Sequence, residues 1–389
     1  MSRQDRPGPL FRHLKKACFI RRPNRFLVEC RLGGRPVRAF LPNPGRLQEL
    51  LLPGRTIYLT ADPKTPHRRT RYTAVAVLRE GHPILLHTHK TNEAARFLIE
   101  EGRIPGLKGA RILRSEVRMG HSRFDFLLKR GRQDILLEVK SCTLVGEKVA
   151  MFPDAVTERG ARHLKELAAL AERGAETILL FLVHWPFAKL FLPDYHTDLE
   201  FSKVLLEVRR KVKVIPLSIG WRRDLSLSPE VHRLRIPWSL IEQEAQDRGS
   251  YLLLLKLRRD RKLSVGSLGR LPFKKGFYLY VGSAMSQLSR RIERHRRLRK
   301  RHRWHIDFLR EKAHFCSALP IRSSARLECE IAQALGKVSE WTVERFGCSD
   351  CSCRSHLFGM SEDPLRSEAF QKVLQHFRMD RLFARSRGA

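Results

Sequence analysis

Residues 135–141, ILLEVKS, and residues 123–128, RFDFLL, are short apolar runs that are typical of buried strands. Side chains two residues apart on a strand project from the same face, so Glu138 and Lys140 share a face. Asp125 lies in the run just before them, and from the neighbouring strand it can reach that face. These two strands predict an α/β core with two carboxylates and a lysine on one surface of its sheet.

Two carboxylates beside a lysine suit the hydrolysis of a phosphodiester bond. Carboxylate oxygens are hard ligands for Mg²⁺ or Mn²⁺, and such a metal lowers the pKa of its bound water. The spacing D-x12-E-x-K is similar to that of the PD-(D/E)XK nuclease superfamily. It makes Asp125, Glu138 and Lys140 candidate catalytic residues, with both acids as metal ligands. Because these residue types are common, two surface ion pairs are the alternative interpretation.

The pattern changes on both sides of this core. Upstream, residues 25–88 contain closely spaced short strands separated by turns such as Gly33-Gly34, which suggest a small barrel. Helices are predicted over 91–104 and 155–173, and strands over 177–183 and 212–217. Downstream, the polar residues 241–248 predict a linker, and a third unit begins with apolar strands near Tyr251.

Charge points to a polyanionic partner. The chain of 389 residues has a formal net charge of +36, distributed as +13 over 1–89, +5 over 90–247 and +18 over 248–389. DNA is the leading partner, and RNA is not excluded. The alternatives are solvated basic faces or a membrane surface, but no clear basic amphipathic helix supports a membrane.

The compartment is expected to be the cytoplasm. No apolar run reaches the length that spans a bilayer, and the N-terminal MSRQDRPGPL is polar, without a signal-peptide core. The eight cysteines do not form the pattern of a disulfide framework, which favours a reducing environment.

Longer strings resemble the sugar fermentation stimulation protein A (SfsA) family over about residues 10–240. They are LPNPGRLQELL (41–51), TNEAARFLIEEGRIPGL (91–107), SRFDFLL (122–128) and LLEVKSCTLVGEKVAMFPDAVTERGARHLKEL (136–167). The resemblance implies an OB-fold barrel over 10–89, a nuclease-like domain over 90–240 and DNA binding. Asp125, Glu138 and Lys140 match the nuclease-like core, and Glu93 or Glu100 could supply a further acid.

Two basic positions in these strings are candidate DNA contacts. Arg159 could bind a phosphate, and His163 follows it by one helical turn. A capped, salt-bridged helix start is the alternative explanation. In the barrel, Arg46 is the basic tip of the turn Asn43-Pro44-Gly45-Arg46 and could contact the DNA backbone. A plain turn before a helix is the alternative there.

A second group of residues lies in the third unit. Gly249-Ser250-Tyr251 and Tyr280-Val281-Gly282 lie in strand patterns, and the segment 290–303 has nine basic residues among fourteen and predicts an Arg-rich helix. Together with WHID (304–307) and LECEIAQAL (327–335), this order is similar to the GIY-YIG nuclease fold over about 249–360. The first motif departs from the family, since GSY stands in place of GIY.

The resemblance implies roles for these residues. Tyr251 and Tyr280 take the tyrosine positions, Arg291 the phosphate, and Glu328 the metal, with Glu330 as the alternative ligand. Half-buried strand aromatics are the alternative for the tyrosines. Because so many like charges repel one another unless an anion approaches, further arginines of the segment are candidate DNA contacts: Arg290, Arg294, Arg297 and Arg301.

A possible zinc site lies near the C-terminus, in GCSDCSCRSHLF (347–358). Cysteine and histidine at this density suit tetrahedral Zn²⁺, and the predicted ligands are Cys348, Cys351, Cys353 and His356. A packed thiol-rich turn is the main alternative, with a redox thiol pair as a third. Cys329 is predicted to be a small core residue.

Taken together, the sequence predicts a multidomain α+β and α/β protein: an OB barrel, a PD-(D/E)XK-like domain (90–240) and a GIY-YIG-like domain (249–389). The expected function is DNA binding with metal-dependent phosphodiester hydrolysis. A DNA-binding transcriptional regulator built on nuclease folds, connected with sugar metabolism by family resemblance, is the alternative. Related nuclease folds often dimerise to cut two strands, so a homodimer stays open.

Overall fold

The computed structural model describes residues 8–61, 70–120 and 122–386. The first seven residues, which include most of the polar N-terminal segment, lie outside this range. The described chain divides into two compact units. Unit 1 comprises the residues up to Asp194 together with Glu200–Trp238, and unit 2 comprises Tyr195–Leu199 together with the residues from Ser239 onward. Among the described residues, no helix has the length and apolar character needed to cross a bilayer.

Unit 1 begins with a six-stranded antiparallel sheet that curls on itself. Its strands are β1 Lys15–Asn24, β2 Leu27–Leu32, β3 Arg35–Phe40, β4 Thr56–Ala61, β5 Tyr72–Arg79 and β6 His82–Leu85. The order is β3-β2-β1-β4-β5-β6, and a parallel pairing of Ala39 with Tyr72 joins β3 to β5 and closes the barrel. Gly33 and Gly34, both with positive φ, form the tight turn between β2 and β3, as their sequence predicts.

The rest of unit 1 is an α/β assembly around a second six-stranded sheet. Its elements are α1 Thr88–Glu100, β7 Arg111–Met119, β8 Ser122–Arg130, β9 Gln133–Cys142, β10 Leu144–Val145, β11 Val149–Phe152, α2 Glu158–Glu172, β12 Glu176–Val183, β13 Leu190–Pro193, α3 Leu199–Val208, β14 Lys213–Trp221 and β15 Leu227–Arg233. The strand order is β15-β14-β12-β9-β8-β7, and β9, β12 and β14 run parallel. Residues 177–183 are buried throughout because helices or other layers cover both faces of these strands.

Unit 2 contains a five-stranded sheet in the order β20-β16-β19-β22-β21 and a separate hairpin of β17 and β18. Its elements are α4 Trp238–Glu244, β16 Gly249–Leu257, β17 Arg261–Ser264, β18 Arg270–Phe273, β19 Gly276–Ala284, α5 Leu288–Arg296, α6 His305–Lys312, β20 His314–Arg322, α7 Glu328–Val338, β21 Trp341–Thr342, β22 Leu357–Met360, α8 Glu368–Gln375 and α9 Arg381–Arg385. Alternate residues of β16 enter two different cores, with Tyr251 and Leu253 on one face and Leu252 and Leu254 on the other.

Two segments differ from their sequence-based prediction. Residues 241–248, predicted as a linker, begin inside α4, and Ile241 and Glu244 are fully buried there. The segment is polar in composition, but one side of it packs into unit 2. The Arg-rich helix ends at Arg296, so Arg297 and Arg301 lie in an irregular connection to α6. Consecutive like charges give no i,i+4 support to a longer helix.

Candidate active sites

The first candidate site lies where the pairing of β8 with β9 ends. The register that pairs Phe126 with Leu137 brings Asp125 and Glu138, one residue further along, side by side. The Asp125 carboxylate also accepts a hydrogen bond of 2.7 Å from the backbone N–H of Val139. The predicted neighbourhood of the two acids therefore has a simple cause in strand pairing.

Glu138 is buried and is engaged at only one of its two carboxylate oxygens. Its Oε1 accepts a hydrogen bond of 2.5 Å from Lys140 Nζ and lies 2.9 Å from His163 Nδ1. Its Oε2 is buried with no hydrogen-bond partner among the described residues. Burial raises the pKa of Glu138, but the bond from His163 and the charge of Lys140 outweigh it, so the pKa is lowered overall. Glu138 is thus held as an anion with one spare oxygen.

Asp125 has a different electrostatic environment. Burial and the neighbouring charge of Glu138 raise its pKa to about 6, although bonds from Val139 N–H and Asn92 oppose this. Asn92 Nδ2 donates to Asp125 Oδ1 at 2.7 Å from the first turns of α1. Two adjacent carboxylates of which one resists ionisation are an arrangement that a bound cation would relieve.

A cleft of about 900 Å³ opens over these acids. Asp125, Glu138 and Lys140 line it together with residues of the α2 entry and the barrel turn at 43–45. Arg159 also lines it, and its Nε donates to His163 Nε2 at 3.3 Å. The cleft therefore combines acids that fit a divalent metal with at least one basic side chain that could face an anionic substrate.

Other predicted residues of unit 1 take different positions. His163, a predicted DNA contact, is buried in the structure. It contacts Glu138, the candidate metal ligand. Glu93 and Glu100 are exposed and pair with Lys90 and Arg96, outside the residues that line the cleft. Arg46 is exposed beside the barrel turn.

The second candidate site lies on one face of the unit 2 sheet. The register pairs Tyr251 with Gly282, and Tyr280 lies two residues before that glycine on the same face. A Cβ on Gly282 would meet the Tyr251 hydroxyl at 2.4 Å, so only glycine allows the ring to lie there. Both tyrosines are buried, at 2% and 6% exposure, and burial raises the pKa of each.

A histidine that the sequence analysis did not single out completes the tyrosine environment. His295 Nε2 lies 2.8 Å from the Tyr251 hydroxyl, and His295 Nδ1 lies 3.7 Å from Asp307 Oδ1. Burial lowers the pKa of His295, which favours the neutral ring. A neutral ring with its proton on Nδ1, facing Asp307, leaves Nε2 to accept from the phenol. Because arginines surround His295 in the sequence, the pattern did not indicate that it lies on the buried side of this helix.

Arg291 and Glu328 lie close enough to act on the pKa of both tyrosines, Arg291 lowering it and Glu328 raising it. Arg291 also lies over the Trp304 ring at 4.5 Å. Glu328 begins α7, where its Oε2 accepts a hydrogen bond from the Ser283 hydroxyl. The four residues assigned to this site by sequence are therefore neighbours in the structure, and their catalytic roles stay a prediction.

The predicted DNA-contacting arginines fall into two groups. Arg290, Arg297 and Arg301 are exposed. Arg294 instead binds the buried Asp307 carboxylate at 3.1 Å and the Arg301 carbonyl at 2.9 Å. The guanidinium of Arg294 is thus paired with Asp307, while its side chain is 27% exposed, and its contact with DNA stays a prediction.

The cysteine-rich segment forms a cluster, but not with the predicted members. The ligand atoms of Cys329, Cys351, Cys353 and His356 all lie within 4.8 Å of one another. Cys348 is not part of this group, and Cys329, predicted as a core residue, takes its place as an exposed residue of α7. The signal was missed because Cys329 is distant in sequence and reaches the group only when α7 packs beside the 351–356 loop.

Comparison with known proteins identifies the family of unit 1. The chain is 38% identical over 221 residues to a sugar fermentation stimulation protein homolog of Methanothermobacter thermautotrophicus, which covers 57% of this chain and 91% of that protein. The chain belongs to the sugar fermentation stimulation protein family. A homolog from Moorella thermoacetica is 41% identical over 196 residues, covering 50% of this chain and 84% of that protein.

Comparisons with domain families divide this part of the chain into two domains. The SfsA N-terminal OB domain matches residues 20–86, and the sugar fermentation stimulation protein RE domain, a restriction-endonuclease-like domain, matches 89–224. A solved structure, that of Pyrococcus furiosus SfsA in complex with Ca²⁺, has a TM-score of 0.54 and 31% identity, covering 58% of this chain and 96% of that chain. The first candidate site thus lies in the part that this SfsA-family member shares with its relatives.

Apart from Tyr195–Leu199, unit 2 lies outside the two SfsA domain matches. Residues 250–379 match a domain of unknown function, DUF123. The tyrosine site and the cysteine cluster both fall within that match. The protein is therefore an SfsA-family chain with a further α/β domain at its C-terminal side.

Proposed function

We propose that the chain is a divalent-metal-dependent nuclease that hydrolyses phosphodiester bonds of DNA in the cleft of unit 1. The observation that carries this proposal is the buried, ionised Glu138, whose Oε2 has no partner among the described residues and which lies beside Asp125 in an open cleft. A buried anionic oxygen without a partner is costly unless a ligand compensates it. The related structure in complex with Ca²⁺ supports a cation in this fold.

Asp125 and Glu138 are the residues that would hold Mg²⁺ or Mn²⁺. When bound, the metal would neutralise phosphate charge and acidify a water molecule. Lys140, which already donates to Glu138, can also orient a water or a phosphate oxygen in the cleft. His163 keeps the Glu138 carboxylate in place from below.

DNA is the proposed substrate because of charge and shape. The net charge of +36 favours a polyanion, and Arg159 lines the cleft that holds both acids. The barrel, proposed to span 10–89, contributes the turn 43–45 to the same cleft. We therefore assign DNA binding to the barrel, with Arg46 beside its turn, and cleavage to the domain proposed to span 90–240. The proposed compartment is the cytoplasm.

For unit 2 we propose a GIY-YIG-like nuclease site. In it Glu328 would hold a single Mg²⁺ or Mn²⁺, and Arg291 would bind the scissile phosphate. Tyr251 would exchange a proton with the neutral His295, while Tyr280 lies beside it on the same face. The exposed Arg290, Arg297 and Arg301 would contact the DNA backbone.

The test is cleavage of labelled single-stranded, flap, junction and duplex DNAs with Mg²⁺ or Mn²⁺. It compares the unmodified chain, Glu138→Gln, Glu328→Gln and the double variant, with matched RNAs as competitors. We expect Glu138→Gln to abolish cleavage in unit 1 while DNA binding persists. If Glu328→Gln abolishes cleavage and Glu138→Gln does not, the activity belongs to unit 2. If only the double variant loses cleavage, both sites are active.

Tight binding to DNA with no cleavage under any of these conditions would overturn the nuclease proposal. The DNA-binding regulator built on nuclease folds would then replace it. Preferential competition by RNA would change the substrate class and keep the chemistry. Sedimentation of the chain with and without duplex DNA would show whether it acts as a homodimer.

A further inference from the structure

The cysteine cluster of unit 2 has the dimensions of a tetrahedral metal site. With Zn–S bonds of about 2.3 Å and a Zn–N bond of about 2.0 Å, ligand atoms of one zinc ion lie about 3.5–3.8 Å apart. The four ligand atoms of the cluster lie within 4.8 Å of one another, and Cys351 Sγ lies 3.5 Å from His356 Nε2. Closing the group around an ion therefore needs shifts of an ångström or less.

The cluster joins two separate parts of the chain. Cys329 lies in the first turn of α7, whereas Cys351 and Cys353 belong to the loop that precedes β22. His356 ends that loop and is buried. A zinc ion at this position would fasten a loop with little regular structure to the start of a helix, which is a common task of structural zinc.

The orientation of His356 connects the cluster with the second candidate site. Its Nε2 faces Cys351, while its Nδ1 lies 3.3 Å from Glu328 Oε1. A histidine that binds metal through one nitrogen commonly donates the other N–H to a carboxylate, which fixes both groups. The other oxygen of Glu328 accepts from Ser283, and a small approach of His356 Nδ1, which has no hydrogen-bond partner among the described residues, would hold the carboxylate from a second side.

We infer that Cys329, Cys351, Cys353 and His356 bind one Zn²⁺ and that His356 thereby positions the Glu328 carboxylate. The second half of this inference rests on the proposed function of unit 2. A redox pair of thiols is the competing explanation, but a disulfide uses two of the three sulfurs and assigns no role to the imidazole among them. His356 is here a positioning residue and Glu328 the residue that it positions.

Zinc content tests the first half without reference to activity. The full chain, purified without chelators, is analysed by mass spectrometry of its metals, and we expect about one zinc per chain. Cys351→Ser and Cys353→Ser should lose most of it, whereas Cys348→Ser, in the same loop but outside the cluster, should retain it. Co²⁺ substitution should give the intense visible bands of a tetrahedral thiolate site.

Three results would overturn the zinc site. They are a chain without zinc that takes up none when supplied, an equal loss in Cys348→Ser, and a disulfide between two of the cluster cysteines in the chain as purified. If a serine variant fails to fold, the release of zinc from the unmodified chain by thiol alkylation gives the same information. Release in proportion to modified thiols is then the expected result.

His356→Cys tests the second half. The substituted thiolate can still bind zinc, but it removes the N–H that faces Glu328. In a Glu138→Gln background, we expect normal zinc content and about a tenfold weaker binding of Mn²⁺ to unit 2, measured by electron paramagnetic resonance. Glu344→Gln, an exposed residue paired with Arg354, is the matched control.

Electron paramagnetic resonance reports Mn²⁺ binding whether or not unit 2 cuts DNA, so the outcomes stay distinguishable. Unchanged Mn²⁺ affinity in His356→Cys would overturn the positioning role. No Mn²⁺ binding to unit 2 even with His356 intact would overturn the proposed function of that site, and the zinc ion would remain as a structural element.

Discussion

In the first unit, Glu138 is buried with one carboxylate oxygen engaged by Lys140 and His163 and the other without a partner among the described residues. In the second unit, the buried Asp307 and Glu244 are engaged more completely. Asp307 accepts from arginine, lysine and backbone N–H groups, and Glu244 binds two arginines and a serine. Glu328, the proposed metal ligand of this unit, is less enclosed: Ser283 donates to one of its oxygens, and its side chain is 26% exposed.

The difference teaches what each acid does for the protein. At Glu138 the spare oxygen carries a desolvation cost that a ligand can offset, although the donors at the other oxygen keep the carboxylate ionised. A carboxylate surrounded by donors stabilises the fold, and its removal leaves buried charges behind. Neutralising Glu138 should therefore impair metal-dependent cleavage far more than stability, whereas neutralising Glu244 should mainly lower stability.

The largest effect is expected for Glu138→Gln. We expect a loss of about a thousandfold in the rate of metal-dependent cleavage, because a neutral amide is a poor ligand and leaves Asp125 alone to hold the cation. The melting temperature should fall slightly, because the lowered pKa of Glu138 means that folding favours its ionised form. Cleavage kinetics on duplex DNA and thermal unfolding measure the two quantities on the same preparation.

Asp134→Asn is the matched control, since Asp134 lies on the same strand but is exposed and pairs with Lys129. It should preserve cleavage and stability. A Glu138→Gln variant that keeps its cleavage rate would contradict the comparison, because it would show that the spare oxygen of Glu138 holds no catalytic cation.

A smaller effect separates two roles for His163. If it positions Glu138, His163→Ala should raise the Mn²⁺ concentration for half-maximal cleavage by about 10–100-fold while the Kd for DNA changes little. Arg159→Ala, one turn away, should instead weaken DNA binding and leave the Mn²⁺ concentration for half-maximal cleavage nearly unchanged. A weaker Kd for DNA without any change in metal dependence would restore the sequence-based prediction that His163 contacts DNA.

Glu244 tests the stabilising acids of unit 2. Burial raises the pKa of Glu244, but hydrogen bonds from Ser324, Arg381 and Arg385 and the charge of Arg381 outweigh it and lower the pKa to about 2. A carboxyl whose pKa is lowered on folding contributes stability above its ordinary value of 4.5, and the contribution disappears as the pH falls toward 2. Glu244→Gln should therefore lower the free energy of unfolding of unit 2 by about 2 kcal/mol at neutral pH.

Denaturant titrations of the full chain at pH 7 and at decreasing pH measure this difference. The difference in the free energy of unfolding between the unmodified chain and Glu244→Gln should narrow below pH 4.5. Glu362 is exposed, and Glu362→Gln should show no such difference at any of these pH values. A constant difference across the pH range would indicate lost packing instead of lost charge.

The sequence predicted much of the fold because local periodicity carried the information. Gly33-Gly34 marked a hairpin, and the run at 177–183 marked a strand buried on both faces. The prediction missed β1, whose basic residues conceal its few buried positions. It took 241–248 for a linker, since composition does not reveal that Ile241 and Glu244 share a buried side.

Site residues were predictable where one element holds them together and hidden where tertiary packing does. Glu138 and Lys140 share a face by the two-residue period of a strand. The contacts of Asn92 with Asp125 and of His295 with Tyr251 join separate elements and leave no pattern in the sequence. Cys329 joins the cysteine cluster for the same reason, through the packing of α7.

The smallest effect concerns the basic side chains of unit 2 and sharpens the comparison for cations. Arg290 is exposed, so Arg290→Gln should weaken DNA binding slightly and reduce the slope of log affinity against log salt by about 0.9, the value for one phosphate contact. Arg294→Gln should leave that slope unchanged and destabilise unit 2, because Arg294 binds the buried Asp307. Fluorescence anisotropy across salt concentrations, with thermal unfolding beside it, measures both. If a well-folded Arg294→Gln variant changes the slope of log affinity against log salt, Arg294 must leave Asp307 to bind DNA. An internal ion pair of unit 2 would then also supply a phosphate-binding group.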